Sequence, residues 1–202
     1  MAVLTSMTKG GRSGAPGPYT ARLLLLALLA LALPGARAQP APTPTPTPEY
    51  QLKAAFLYKL AQFVEWPAAA FTDPKAPFVL GVLGNDPFGA YLDDLVKGEK
   101  IGERALVVRR FQRAEEAAAC HILFISPSET DSLERDFAHL RRHSVLTVGD
   151  VDMFTRLGGM VRFAMEGGKI RLKINPEAAK FCDLIISSKI LTPDTIVAPG
   201  RE

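Results

Sequence analysis

Acidic residues are missing from the start of this 202-residue chain, where none precedes Glu49. The same stretch carries Lys9, Arg12 and Arg22, then an uninterrupted apolar run from Leu23 to Leu33 that Pro34 and Gly35 break. At about 11 residues that run falls well short of the roughly 20 needed to span a bilayer, and no longer one occurs elsewhere. Ala36-Arg37-Ala38 then supplies the small residues a signal peptidase reads. A basic n-region, an apolar h-region and an A-x-A site in that order predict a signal peptide over 1–38, cleaved after Ala38. The mature chain is therefore expected in the bacterial periplasm.

Basic excess is the next absence. The 24 basic residues lose Lys9, Arg12, Arg22 and Arg37 with the leader, leaving 20 against 21 acidic ones. A nearly neutral protein offers no electrostatic footprint for nucleic acid. Cysteine is scarce too, with only Cys120 and Cys182. In an oxidising compartment these two are a candidate disulfide closing about 60 residues and contributing roughly 4 kcal/mol, or else two separately buried thiols.

Catalytic signatures are equally thin. Gly84 and Gly89 have phosphate-loop spacing, but Ala90 and Tyr91 stand where a lysine and a hydroxyl are required. His139 and His143 lie four apart without a third ligand nearby, and Arg141 and Arg142 between them suit a solvated face. No G-x-S-x-G or S-x-x-K marks Ser126, Ser187 or Ser188 as a nucleophile. The expectation is a protein that is not an enzyme, with no cofactor and no metal.

What the sequence does contain is one domain's worth of alternating elements. Proline at every second position from Pro40 to Pro48 predicts a stiff extended tether over 39–48, with the folded domain over 49–202. From Tyr50 the period is helical, with Leu52, Ala55, Phe56, Leu60 and Phe63 on the expected apolar face. Continuous apolar strands are predicted at Phe78 to Leu83, Ala105 to Val108, His121 to Ile125 and Val145 to Val148. Between them, Asp86-Pro87 is expected to start one helix, 114–119 and Leu133 to Leu140 to form others, and Gly149-Asp150 to open a short one. Such alternation predicts an α/β domain with a mainly parallel sheet flanked by helices. Val161 to Met165 and Ile170 to Ile174, alternating around Gly167-Gly168, predict a closing antiparallel hairpin. Asn175-Pro176 should then cap a last long helix that contains Leu184.

The ordered motifs resemble the YfiR/HmsC-like family. They run from Lys53-Ala54-Ala55-Phe56-Leu57-Tyr58 and Phe63-Val64-Glu65-Trp66-Pro67 to Val82-Leu83-Gly84-Asn85-Asp86-Pro87-Phe88-Gly89 and Cys120-His121-Ile122-Leu123-Phe124-Ile125-Ser126. Val145-Leu146-Thr147-Val148-Gly149-Asp150, Gly158-Gly159-Met160 and Ile186-Ser187-Ser188-Lys189 complete the order. The resemblance implies a single Rossmann-like domain acting as a periplasmic inhibitor. Its partner would be the periplasmic sensor domain of a membrane-anchored diguanylate cyclase, with a peptidoglycan-associated outer-membrane lipoprotein as a sequestering partner. Inhibition would lower cyclic di-GMP and biofilm formation. One position departs from the pattern: Asp183 stands where a small residue, often glycine, is expected.

Two candidate sites follow. A partner surface is expected at Tyr58, Trp66, Glu177, Lys180 and Leu184, and a symmetric homodimer is compatible with such a role. A ligand crest is expected at Asn85, Asp86, Ser126 and Asp150, because open α/β sheets bind ligands beyond their strand ends. The second reading of function, a periplasmic small-ligand sensor, would use that crest.

Overall fold

The computed structural model describes residues 45–197. The expected signal peptide and most of the tether lie outside that range. Thr47, expected in the tether, instead caps the first helix, its hydroxyl accepting from the Tyr50 N–H. Helix α1 spans Pro48–Leu60, with proline at its first turn, where no backbone donor is missed. It ends before Val64–Glu65, which forms the two-residue strand β1.

Seven further strands make one mixed sheet. Strand β2 is Phe78–Leu83, β3 is Lys100–Ile101, β4 is Arg104–Phe111, β5 is Ile122–Ile125, β6 is Leu146–Gly149, β7 is Val161–Glu166 and β8 is Lys169–Ile174. Their order is β3-β4-β2-β5-β6-β7-β8, with parallel pairing from β4 through to β7. Strands β3 and β4 pair antiparallel, as do β7 and β8 across Gly167-Gly168. The chain passes from β2 outward to β4, then crosses back to β5 on the other side of β2. The β2–β5 boundary is therefore a topological switch point.

Both faces of the sheet are covered, which explains the continuous apolar strands. Leu80, Val82, Ile122 and Phe124 face one core with Ala54 and Leu57 of α1 and Leu92 of α2 (Ala90–Val96). Val79, Leu83, Leu123 and Ile125 face the other. There they meet Ala114 and Ala117 of a 3-10 segment and Leu133, Phe137 and Leu140 of α3 (Leu133–Leu140). Phe154 lies against Gly149 and Gly159 so closely that a Cβ at either would strike its ring.

Several local expectations change. Asp86 does not cap α2; its Oδ1 accepts from the Phe88 N–H 2.7 Å away, closing a turn, and α2 begins later, after Gly89. Residues 151–158 form turns rather than a helix. The apolar face of α1 is rotated, so that Leu52 is exposed and Lys53 is buried.

The last helix, α4, is short, Pro176–Phe181, with the Asn175 side chain accepting from the Ala178 N–H. It ends in a Schellman motif: Leu184 N–H donates to Ala179 C=O and Asp183 N–H to Lys180 C=O. Asp183 takes the left-handed position, φ +58°. This is the backbone reason that glycine suits that site. Strand β9, Ile185–Ile186, then pairs antiparallel with β1.

Candidate functional site

The crest at the carboxyl ends of the strands is built largely from its own internal contacts. Gly84, at the end of β2, has φ +81°, and a side chain there would strike Ser128 and Glu129. The Ser128 hydroxyl accepts from the Asn85 N–H at 3.0 Å, so the segment after β5 folds over the switch point. Ser126 is buried, its hydroxyl capping the Pro127–Ser132 turn. Asp86 pairs with Arg110 at 2.8 Å, and Arg110 also holds Asp93 and the Gly89 carbonyl. The Asp93 hydrogen bond, more than burial opposes, keeps that guanidinium charged.

Asp150, just beyond β6, meets Lys53 of α1 at 2.5 Å. Lys53 also pairs with Glu49 at 2.5 Å and lies 4.5 Å from the Tyr50 ring centroid. Only 3% of Lys53 is exposed, so two carboxylates compensate one buried ammonium. Burial first, and then the Asp150 charge, push the Tyr50 hydroxyl above the ordinary tyrosine range. This cluster ties the start of α1 to the end of β6. The four crest residues therefore sit at successive strand ends, but Ser126 and Asp150 are engaged internally and none of the four lines the cavities described next.

The expected partner surface divides. Glu177 and Lys180 are exposed on α4. Tyr58 is half-buried and donates to Glu99 at 2.7 Å, which raises its pKa. Trp66 turns inward, edge-on to Phe78 at 4.9 Å, with its Nε1–H donating to the His121 carbonyl at 3.1 Å. Leu184 is only 2% exposed, because the Schellman turn folds it back beside Ala179. Both are corrections to the expected surface.

Among the described residues, the two most exposed large apolar side chains are neighbours that period and motif do not single out. Phe181 is 72% exposed and Ile185 63%. Glu65, opposite Ile185 across β1–β9, is exposed with them. Phe181 also stands at the lip of a cavity of about 230 Å³ between α3 and α4, whose walls include Phe137, Leu140, Met160 and Ala178. Alternation in β9 could have signalled Ile185, since a two-residue strand with Ile186 inward must turn its neighbour out.

The candidate disulfide is not formed: Cys120 and Cys182 are free, buried thiols in the two separate cores. Burial pushes the Cys120 thiol up to about 12. It also raises Cys182, where Asp183 adds to the effect and Arg141 opposes it. Neither is an activated thiolate. Among the described residues, no three His, Cys, Asp or Glu side chains converge as a metal site, and no helix is long and apolar enough to cross a membrane.

Comparison with known proteins adds the following. No curated protein matches the chain. A crystal structure of a conserved domain protein from Vibrio cholerae O1 biovar El Tor aligns at 12% identity with a TM-score of 0.48, covering 72% of this chain. The chain spans 59% of that protein's length. A family model described as YfiR/HmsC-like matches residues 50–192, from the first turn of α1 to beyond β9. The chain belongs to the YfiR/HmsC-like family.

Proposed function

We propose that the mature chain is a periplasmic repressor that docks onto the periplasmic domain of a membrane-anchored diguanylate cyclase and holds it inactive. Membership of the family supports a periplasmic, regulatory rather than catalytic protein in cyclic di-GMP signalling. The observation that carries the finer reading is the surface at Phe181 and Ile185. Two large apolar side chains stand in solvent beside an apolar cavity, flanked by the charges of Glu177, Lys180 and Glu65. An apolar centre with a charged rim is the anatomy of a protein contact. Export by the 1–38 leader with cleavage after Ala38, and a tether over 39–48, belong to the same reading, as does a doubly wound, Rossmann-like core, which the β4-β2-β5-β6-β7 order favours.

Inhibition requires preference rather than mere binding: the repressor must hold the cyclase's inactive conformation more tightly than its active one. An outer-membrane lipoprotein that captures the same face would release the enzyme by competition. Deleting the gene should raise cyclic di-GMP only while the cyclase is present. No rise on deletion in an otherwise wild-type host would defeat the repressor reading.

A further inference from the structure

The amino ends of β2, β5 and β6, opposite the crest, border an open cleft. Its volume is about 510 Å³, within the range of small-molecule pockets. Pro67, Phe71 and Val79 supply apolar wall, and Arg109, His121 and Arg142 supply polar groups. We propose that this cleft binds a small organic anion, its charged group held between Arg109 and Arg142 and one acceptor atom taking the Nε2–H of His121.

The tautomer of His121 follows from its neighbours. Its Nδ1 accepts from the Val79 N–H at 3.0 Å, so in the neutral ring the proton sits on Nε2. The ring is stacked between Phe71 at 4.5 Å and Phe78 at 4.7 Å, which fixes its plane. Only 3% of the residue is exposed, and among the described residues Nε2 has no hydrogen-bond partner. The Ala70 carbonyl is close enough to be felt but does not reach bonding geometry. A buried donor without an acceptor is costly, and a site that supplies the missing acceptor recovers that cost on binding.

The charge on the cleft points the same way. Arg109 and Arg142 are exposed, and among the described residues neither guanidinium has an ion pair or hydrogen bond. Arg104, 3.9 Å above the Phe71 ring, adds a third positive charge near His121. Asp183 is the carboxylate on the wall, and His143 and the Cys120 thiol are the other titratable groups there besides His121 and the arginines. Two unpaired planar forks and one neutral donor suit a carboxylate or phosphate on an apolar body.

The test uses the mature protein with ¹⁵N-labelled histidine and arginine, titrated with benzoate and phenyl phosphate, with benzamide as the uncharged control and inorganic phosphate as the bodiless one. Expected is a shift of the His121 Nε2–H and the Arg109 side-chain signals by at least one organic acid where benzamide gives none. Binding should weaken at least about tenfold in the Arg109→Gln, Arg142→Gln double variant and stay unchanged in Arg171→Gln, an exposed control on β8. The proposal is overturned if neither acid binds, if the double variant binds as well as the parent, if benzamide or inorganic phosphate alone gives the same response, or if the shifts map away from His121.

Discussion

His121 makes folding stability depend on pH with a sign and size that can be worked out. Burial first, and then the Arg104 charge, lower its pKa to about 4, against a smaller upward pull from the Ala70 carbonyl. The ordinary value is near 6.5, so between pH 6.5 and 4 the unfolded chain holds a proton that the native state does not. Stability from this group is complete above about pH 6.5 and is lost as pH falls. The loss is about 2 kcal/mol by pH 5 and about 3 kcal/mol below pH 4. Other groups titrate in the same range, so the parent must be compared with His121→Phe. Phenylalanine keeps a ring between Phe71 and Phe78 but removes the acceptor from the Val79 N–H, which should cost about 1–3 kcal/mol near neutral pH. Urea unfolding at the two pH values should then show the parent's advantage shrinking by about 2 kcal/mol on acidification to pH 5. An advantage that stays constant with pH would refute the argument.

Replacing Lys53 by alanine strands a buried Asp150 carboxylate and should cost about 3–5 kcal/mol in thermal or urea unfolding; adding Asp150→Asn should recover part of it, and equal losses in the single and double variants would contradict the pairing. Asp183→Gly relieves a left-handed backbone and should stabilise by about 0.5–1 kcal/mol, read as a higher urea midpoint; a lower midpoint would show that the aspartate makes a compensating contact. Both thiols should resist alkylation near pH 8 until denaturant is added, and mild oxidation should leave the intact mass unchanged, without the loss of the two hydrogen atoms that a disulfide would remove; fast labelling of folded protein would contradict their burial.

How much of this was legible depended on whether a residue's fate was decided locally. Strands β2 and β5 are buried on both faces, so their apolar runs announce themselves in the sequence. The Asn175 cap with Pro176 is likewise a local device that reads directly. Lys53 is different. It lies on the buried face of α1, where Asp150, 97 positions away, joins Glu49 in compensating its charge, and no short window of sequence contains all three. The apolar stripe read from Leu52 is rotated accordingly.

The placement of the expected site residues follows the same rule. Leu184 looked like part of a long helix, but the helix stops at Phe181 and the turn at Asp183 sends the leucine inward. That turn leaves Phe181 and Ile185 in solvent. Trp66 looked like an outward aromatic until Phe78 and the His121 carbonyl claimed its two ends. The His121 cleft needs residues from five segments, from Pro67 to Asp183, and period or motif cannot bring them together.

The most direct test is the affinity of the mature protein for the periplasmic domain of its cognate diguanylate cyclase, measured by calorimetry with the parent and with Phe181→Ala, Ile185→Ala. If these side chains form the centre of the contact, the double variant should lose about 2–4 kcal/mol, roughly 30- to 1,000-fold in Kd, while its folding stability is unchanged because both are exposed. Undiminished binding by the double variant would contradict the proposed docking surface.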